Sequence, residues 1–305
     1  MYSDRSALSR RTALALGAGT ALTTALALGG GTAHAAPRDG GAVARLRRLE
    51  QEHTARLGVF ARNMRTGRTI AYRAAERFPI ASVFKTLAAA AVLRDLDRDG
   101  EYLGRRVHYT QAYVTRSGYS PVTGRAENVA GGMTVAELCD ATVRESDNTA
   151  GNLLLRELGG PTAITRFCRS LGDRVTRLDR WEPELNSAEP GRVTDTTSPH
   201  AIGLTYARLV LGDALDAPDR ERLTDWLLRN TTNTERFRRG LPADWSVADK
   251  TGSPRYGGAH DVGVAWAPDG TPVVLAVLTL QPEEDAPNDS ALVASTAAVL
   301  AEALV

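Results

Sequence analysis

The chain has 305 residues, 43% of them hydrophobic, enough to bury one large core or two intimately joined ones. Its 37 basic and 36 acidic residues nearly cancel, and the net charge of +1 gives no basis for a nucleic-acid or anionic-membrane partner. Two cysteines, Cys139 and Cys168, fall inside helical patterns, as buried free thiols or, in an oxidising compartment, as a disulfide.

Residues 1–35 read as a leader. Ser9-Arg10-Arg11-Thr12 precedes a stretch rich in Ala, Leu, Gly and Thr that runs to Leu28, and Ala33-His34-Ala35 supplies a small-residue cleavage site. Paired arginines ahead of a weakly apolar core predict twin-arginine export, cleavage after Ala35 and a secreted or periplasmic product. The stretch is too short and too weakly apolar for the roughly 20 residues that a membrane span requires, so no stable membrane association is expected after cleavage. Removing the leader takes Arg5, Arg10, Arg11 and Asp4 with it, which leaves a net charge of −1.

A helical pattern with a charged face covers 42–56. Gly58-Val59-Phe60-Ala61 and Thr69-Ile70-Ala71-Tyr72 then read as strands joined through Thr66-Gly67. An Ala/Leu-rich helix is predicted from Ser82 to Leu96, stopping near Gly100. Thr134 and Glu137 form a capping-box pattern ahead of Leu138 to Val143. Another helix is predicted from about Asn148 to Leu158, ended by Gly159-Gly160, and Pro161 opens the next. An irregular stretch, 180–195, precedes helices near 199–211 and 218–229. Strands follow at Ser246-Val247-Ala248, 262–266 and 272–278, the last two turning through Asp269-Gly270, and a helix from about Asp289 closes the chain. Strands at both ends with helices between them predict an α/β plus all-α architecture. An antiparallel sheet flanked by helices is built from 36–78 and 220–305, with an all-helical domain, 79–219, inserted.

Only two of the 37 basic residues are lysine, Lys85 and Lys250. Arginine stays protonated in proteins, whereas a lysine amine is readily brought towards neutrality by burial or by other cations. Lys85 follows Ser82 in Ser82-Val83-Phe84-Lys85, a helical spacing that puts both side chains on one face. An amine beside a hydroxyl can make serine nucleophilic without histidine, and a helix start supplies N–H groups where an oxyanion forms. Ser146-Asp147-Asn148 stands at a helix start, where each residue is also a good N-cap. Lys250-Thr251-Gly252-Ser253 ends a predicted strand, with an ammonium and two hydroxyls suited to a substrate carboxylate. No G-x-S-x-G occurs. His53, His108, His200 and His260 lack metal-ligand spacing and read as surface or capping residues, so neither a metal nor a cofactor is expected.

S-x-x-K, S-D-N and K-T-G, in that order, form the set shared by class A β-lactamases and penicillin-binding proteins. With Glu182-Pro183-Glu184-Leu185-Asn186 as an E-x-x-L-N motif, the chain resembles the class A serine β-lactamases over almost all of residues 36–305. Tyr119-Ser120-Pro121-Val122 and Gly132-Met133-Thr134-Val135 are similar to segments of that family, and Arg180 and Asp195 match the ion pair at the neck of its Ω-loop, here 180–195.

The resemblance implies the roles. Ser82 attacks the lactam carbonyl; Lys85 and Glu182 are both candidate bases for that step. Backbone N–H groups of Ser82 and Ser253 form the oxyanion hole. Ser146, beside Lys250, relays a proton to the leaving nitrogen, and Glu182 with Asn186 activates the water that clears the acyl group. Asn148 contacts the substrate side-chain amide. Tyr119 walls the cleft, or simply packs. Thr251, Gly252, Ser253 and Arg236 complete the carboxylate site, although Arg236, within Glu235-Arg236-Phe237-Arg238-Arg239, also reads as a surface charge.

Glu182–Pro183 is a candidate cis peptide. Ala259 stands where many members carry a carboxylate-binding arginine, and Ala89 where a disulfide partner of Cys139 would stand, so that disulfide is not expected. Pro254 follows Ser253 where relatives have a small residue. The implied protein is a monomeric hydrolase of penicillins and cephalosporins that confers antibiotic resistance, its partner the small-molecule β-lactam. The alternatives are a penicillin-binding D,D-peptidase and a non-catalytic penicillin sensor.

Overall fold

The computed structural model describes residues 38–305; the expected leader lies outside the described residues. Five antiparallel strands form the main sheet in the order Thr69–Tyr72, Arg56–Asn63, Pro272–Leu280, His260–Trp266, Ser246–Gly252. The first two and the last three come from opposite ends of the chain, as the order of predicted elements requires.

Pro272–Leu280 is central. Phe60 pairs with Ala276 on one side of it and Val264 with Val274 on the other. A strand bonded on both edges and covered on both faces needs apolar residues throughout, and Val273 to Leu278 are all buried. Alternation sorts them. Val274, Ala276 and Leu278 join a core shared with the helical region, whereas Val273, Leu275 and Val277 meet the helices Arg38–Glu52 and Ser290–Leu304. Helix Pro199–Val210 lies on the first face, and Gly203 permits the approach: a Cβ there would sit 2.7 Å from the Phe60 ring.

Two predicted elements need correction. The first helix is Arg38–Glu52, earlier than expected, because Thr54 adopts a left-handed turn (φ 48°) that leads into Arg56–Asn63. The Ser82–Leu96 helix is three segments: a 3-10 turn Ala81–Val83, the α-helix Phe84–Ala91 and a wider π turn Val92–Leu96. Ala81, at φ 44°, interrupts any regular helix running back through Ser82.

The expected caps form. Thr134 and Glu137 make a reciprocal capping box at Val135–Arg144, and Asp147 caps Asn148–Glu157. Among the described residues, no helix is long and apolar enough to cross a membrane. Cys139 and Cys168 are free thiols with no exposed surface, and burial pushes both above the usual thiol range. A thiol reagent should therefore modify neither cysteine in the native protein and both after unfolding in guanidinium; absorbance of the released chromophore checks this.

Candidate active site

The turn Ala81–Val83 carries Ser82, and the first turn of Phe84–Ala91 carries Lys85, whose Nζ lies 2.9 Å from Ser82 Oγ. Lys85 is completely buried, yet oxygen surrounds its nitrogen. The Ser146 carbonyl lies at 2.7 Å, Asn148 Oδ1 at 2.6 Å, Glu182 Oε1 at 3.1 Å and Ser146 Oγ at 3.4 Å. Gly151 makes the space, since a Cβ there would sit 3.3 Å from Lys85 Cε. Burial lowers the Lys85 pKa, and the Glu182 carboxylate opposes that shift without cancelling it. Such an amine can exchange a proton with the serine it touches.

Ser146 holds a left-handed conformation (φ 55°), which turns its carbonyl towards Lys85. Asp147 does more than cap its helix. Its carboxylate accepts from Ala150 N–H at 2.9 Å, Val122 N–H at 3.0 Å, Thr123 N–H at 2.9 Å and Thr123 Oγ1 at 2.7 Å. It thereby ties the 119–123 segment to the motif, and Asn148 N–H donates to the Tyr119 carbonyl at 2.8 Å. Tyr119 itself is 60% exposed, so its ring borders solvent and is not a packing residue. Asn148 gives its amide oxygen to Lys85, while Nδ2 donates to the Ser117 carbonyl at 3.0 Å and keeps a second N–H.

Glu182 comes from the long loop. Arg180 Nε bonds Asp195 Oδ2 at 2.6 Å, and Asp195 Oδ1 accepts the Asp179 and Arg180 N–H groups, closing the neck. The Glu182–Pro183 peptide is cis. Glu182 Oε1 lies 3.4 Å from Ser82 Oγ, and Asn186 Nδ2 donates to Oε2 at 2.5 Å.

The strand Ser246–Gly252 brings Lys250, Thr251 and Gly252 to the same place. Gly252 packs closely there: a Cβ would meet the Ala81 and Val83 side chains at 3.2 Å, a tight contact that those side chains would have to relieve. Lys250 is fully buried and donates to the Thr251 carbonyl at 3.0 Å. Burial, then the nearby Lys85 and Arg236 charges, push its pKa well down. Thr251 Oγ1 pairs with Thr232 Oγ1 at 2.5 Å.

Arg236 is no surface charge. It is 7% exposed, donates to the Gly252 and His260 carbonyls at 2.8 and 2.6 Å, and reaches Ser253 Oγ at 2.7 Å. The strand stops before Pro254, which has no N–H to extend it; the proline ring instead packs on Gly258. His260 overturns its surface or capping assignment. It is a fully buried strand residue whose Nδ1 accepts the Thr279 N–H at 3.2 Å, and burial holds its pKa down at about 3, so it stays neutral. Among the described residues, no group of three or more His, Cys, Asp or Glu could hold a metal ion.

A sequence model described as the β-lactamase enzyme family matches residues 42–304. The chain belongs to that family. The β-lactamase of Streptomyces fradiae is 69% identical over 297 residues, 97% of each chain, and that of Streptomyces lavendulae is 65% identical with the same coverage. A solved β-lactamase from Streptomyces albus G superposes with a TM-score of 0.86 at 63% identity, covering 87% of this chain and 100% of its own. One from Desulfarculus baarsii, at 46% identity, gives 0.83 over 87% of this chain and 97% of its own. Within the β-lactamases this is a class A member, with the motif set of that class.

Several residues at this site carry no motif and were invisible in the sequence. Asn152 is the clearest: its amide accepts from Glu182 N–H at 2.9 Å and donates to the Glu182 carbonyl at 2.9 Å and to Ser117 Oγ at 3.1 Å. Its only signal was a position one helical turn after Asn148. Asn152→Ala would leave a buried N–H and C=O unpaired, at about 1–3 kcal/mol each. Limited proteolysis should then cut faster within residues 180–195, with the rest of the chain protected.

Proposed function

We propose that this chain hydrolyses the lactam amide of penicillins and cephalosporins through an acyl-serine intermediate, and so confers resistance. The observation that carries the proposal is the Glu182 carboxylate 3.4 Å from Ser82 Oγ, braced by Asn186. An acyl-enzyme with no base beside it is a dead end. A carboxylate in contact with both the nucleophile and Lys85 favours turnover over a penicillin-binding peptidase or a sensor that stays acylated.

In the proposed cycle Ser82 Oγ bonds to the lactam carbonyl carbon and its proton passes to Lys85 or, through a bound water, to Glu182. The Ser82 and Ser253 N–H groups hold the oxyanion; one such donor contributes about 2.7–4 kcal/mol. The C–N bond then breaks, and Ser146 protonates the nitrogen and is reprotonated from the lysine side. Water, held by Glu182 and Asn186, attacks the ester as Glu182 takes its proton, and Ser82 leaves as a hydroxyl. Lys250, Thr251, Ser253 and Arg236 attract the substrate carboxylate, the remaining N–H of Asn148 meets the side-chain amide, and Tyr119 borders the cleft. Neither metal nor cofactor takes part. The enzyme acts as a monomer, and the twin-arginine leader delivers it to the periplasm or the medium.

A stopped-flow trace with a chromogenic cephalosporin should show repeated turnover; a single stoichiometric burst would discard the hydrolase. Glu182→Ala should slow deacylation by about 10²–10⁴-fold and leave an acyl adduct visible by intact mass, whereas Ser82→Ala should show no adduct. Arg236→Ala should raise KM for carboxylate-bearing substrates by about tenfold, read from initial rates.

A further inference from the structure

On the face of the strand Ser246–Gly252 turned away from Lys250, two carboxyls are buried together. Strand alternation puts Asp249 there, opposite Gly263 on the neighbouring strand, and puts Asp261, opposite Thr251, one diagonal step away on the same face. Both have no exposed surface. One oxygen of each is engaged. Asp249 Oδ1 accepts from Asn233 Nδ2 at 2.5 Å and Asn230 Nδ2 at 3.2 Å, and Asp261 Oδ2 accepts from Phe237 N–H at 3.1 Å. The other two oxygens, Asp249 Oδ2 and Asp261 Oδ1, are buried and meet no donor.

Neighbouring cations bond elsewhere. Arg236 serves the Gly252 and His260 carbonyls and the Ser253 and Ser290 hydroxyls; Arg238 serves Asn233 Oδ1 and the Leu228 carbonyl; Lys250 serves the Thr251 carbonyl. Two ionised carboxylates with no donor between them are strongly disfavoured in a dry interior. One proton between the facing oxygens satisfies both, since a protonated carboxyl donates and an ionised one accepts. Consistent with this, the two carboxyl groups lie within hydrogen-bonding reach of each other. Burial raises both, and the Asp249 charge raises Asp261 further.

We propose that Asp249 and Asp261 share a single proton, and that this acid–carboxylate pair positions Arg236 beneath the carboxylate-binding end of the cleft. The pair holds the 230–237 segment through Asn230, Asn233 and the Phe237 N–H, on either side of Arg236. It also leaves one negative charge near Arg236 and Lys250, whose positive charges repel each other. Both aspartates are positioning residues, and the functional half of this inference rests on the carboxylate-binding role proposed for that end of the cleft.

The test has two arms. Infrared difference spectra of the whole protein at neutral pH, with and without ¹³C-carboxyl aspartate, should contain one carboxylic-acid C=O band that shifts with the label and vanishes in Asp249→Asn. Absence of any aspartic-acid band would overturn the shared proton, whatever the enzyme hydrolyses. In the kinetic arm, Asp261→Asn keeps one charge and supplies an amide N–H in place of the shared proton, so KM should stay within about threefold of the parent. The Asp249→Asn/Asp261→Asn double variant has no charge left, and KM for carboxylate-bearing cephalosporins should rise about tenfold with kcat changed far less. A double variant with the parental KM would overturn the positioning role. Loss of β-lactam turnover in the parent would sink the proposed function and leave the infrared result standing.

Discussion

A lysine with no exposed surface is the constraint around which the site is assembled. Lys85 Nζ must find oxygen, and it finds it from three separate segments: Ser82 in its own turn, Ser146 and Asn148 at the start of another helix, and Glu182 on the long loop. Each contact offsets part of the cost of removing an amine from water. Together they fix the distances among the reacting groups before any substrate arrives. Gly151, Gly252 and the left-handed Ala81 and Ser146 are the backbone concessions that let these segments come so close.

The remaining elements hold those segments still. The Arg180–Asp195 neck and the Asn152 amide anchor the loop at its base and at Glu182 itself, and Arg255 N–H donates to the Asn186 carbonyl at 2.9 Å. Preorganisation of this kind places charge before it is needed, where a low-dielectric setting makes each interaction count for more. At the end of the Lys250 strand, Arg236 bonds the Gly252 carbonyl and presents its charge through Ser253.

What could be read in the sequence divides along physical lines. The Ser82–Lys85 spacing, the Thr134–Glu137 box and the strand alternation are local, and each was legible because neighbouring residues set it. The ordered motifs and the family resemblance carried the non-local part, including Glu182 and the Arg180–Asp195 pair. The roles of Asn152, Asp249 and Asp261 are not legible there, because an asparagine on a helix, or an aspartate in a strand, reveals its role only when a distant chain segment arrives beside it. The burial of His260 is hidden for the same reason: histidine has no fixed preference for surface or interior, and the near-continuous burial of the strand His260–Trp266 comes from the layers on both sides of the sheet. The 3-10 turn at Ser82 escaped because alanine at position 81 gives no hint of a left-handed backbone.

The strand order also bears on how the molecule comes into being. Arg56–Asn63 has its inner neighbour in Pro272–Leu280, so the sheet cannot close until nearly the whole polypeptide exists, and closing so long a loop slows assembly. A shortened chain ending before that strand would carry the serine and its lysine while leaving the inner edge of Arg56–Asn63 without its hydrogen-bonding partner. Chemical competence and structural integrity therefore arrive together, with the last strand to be made.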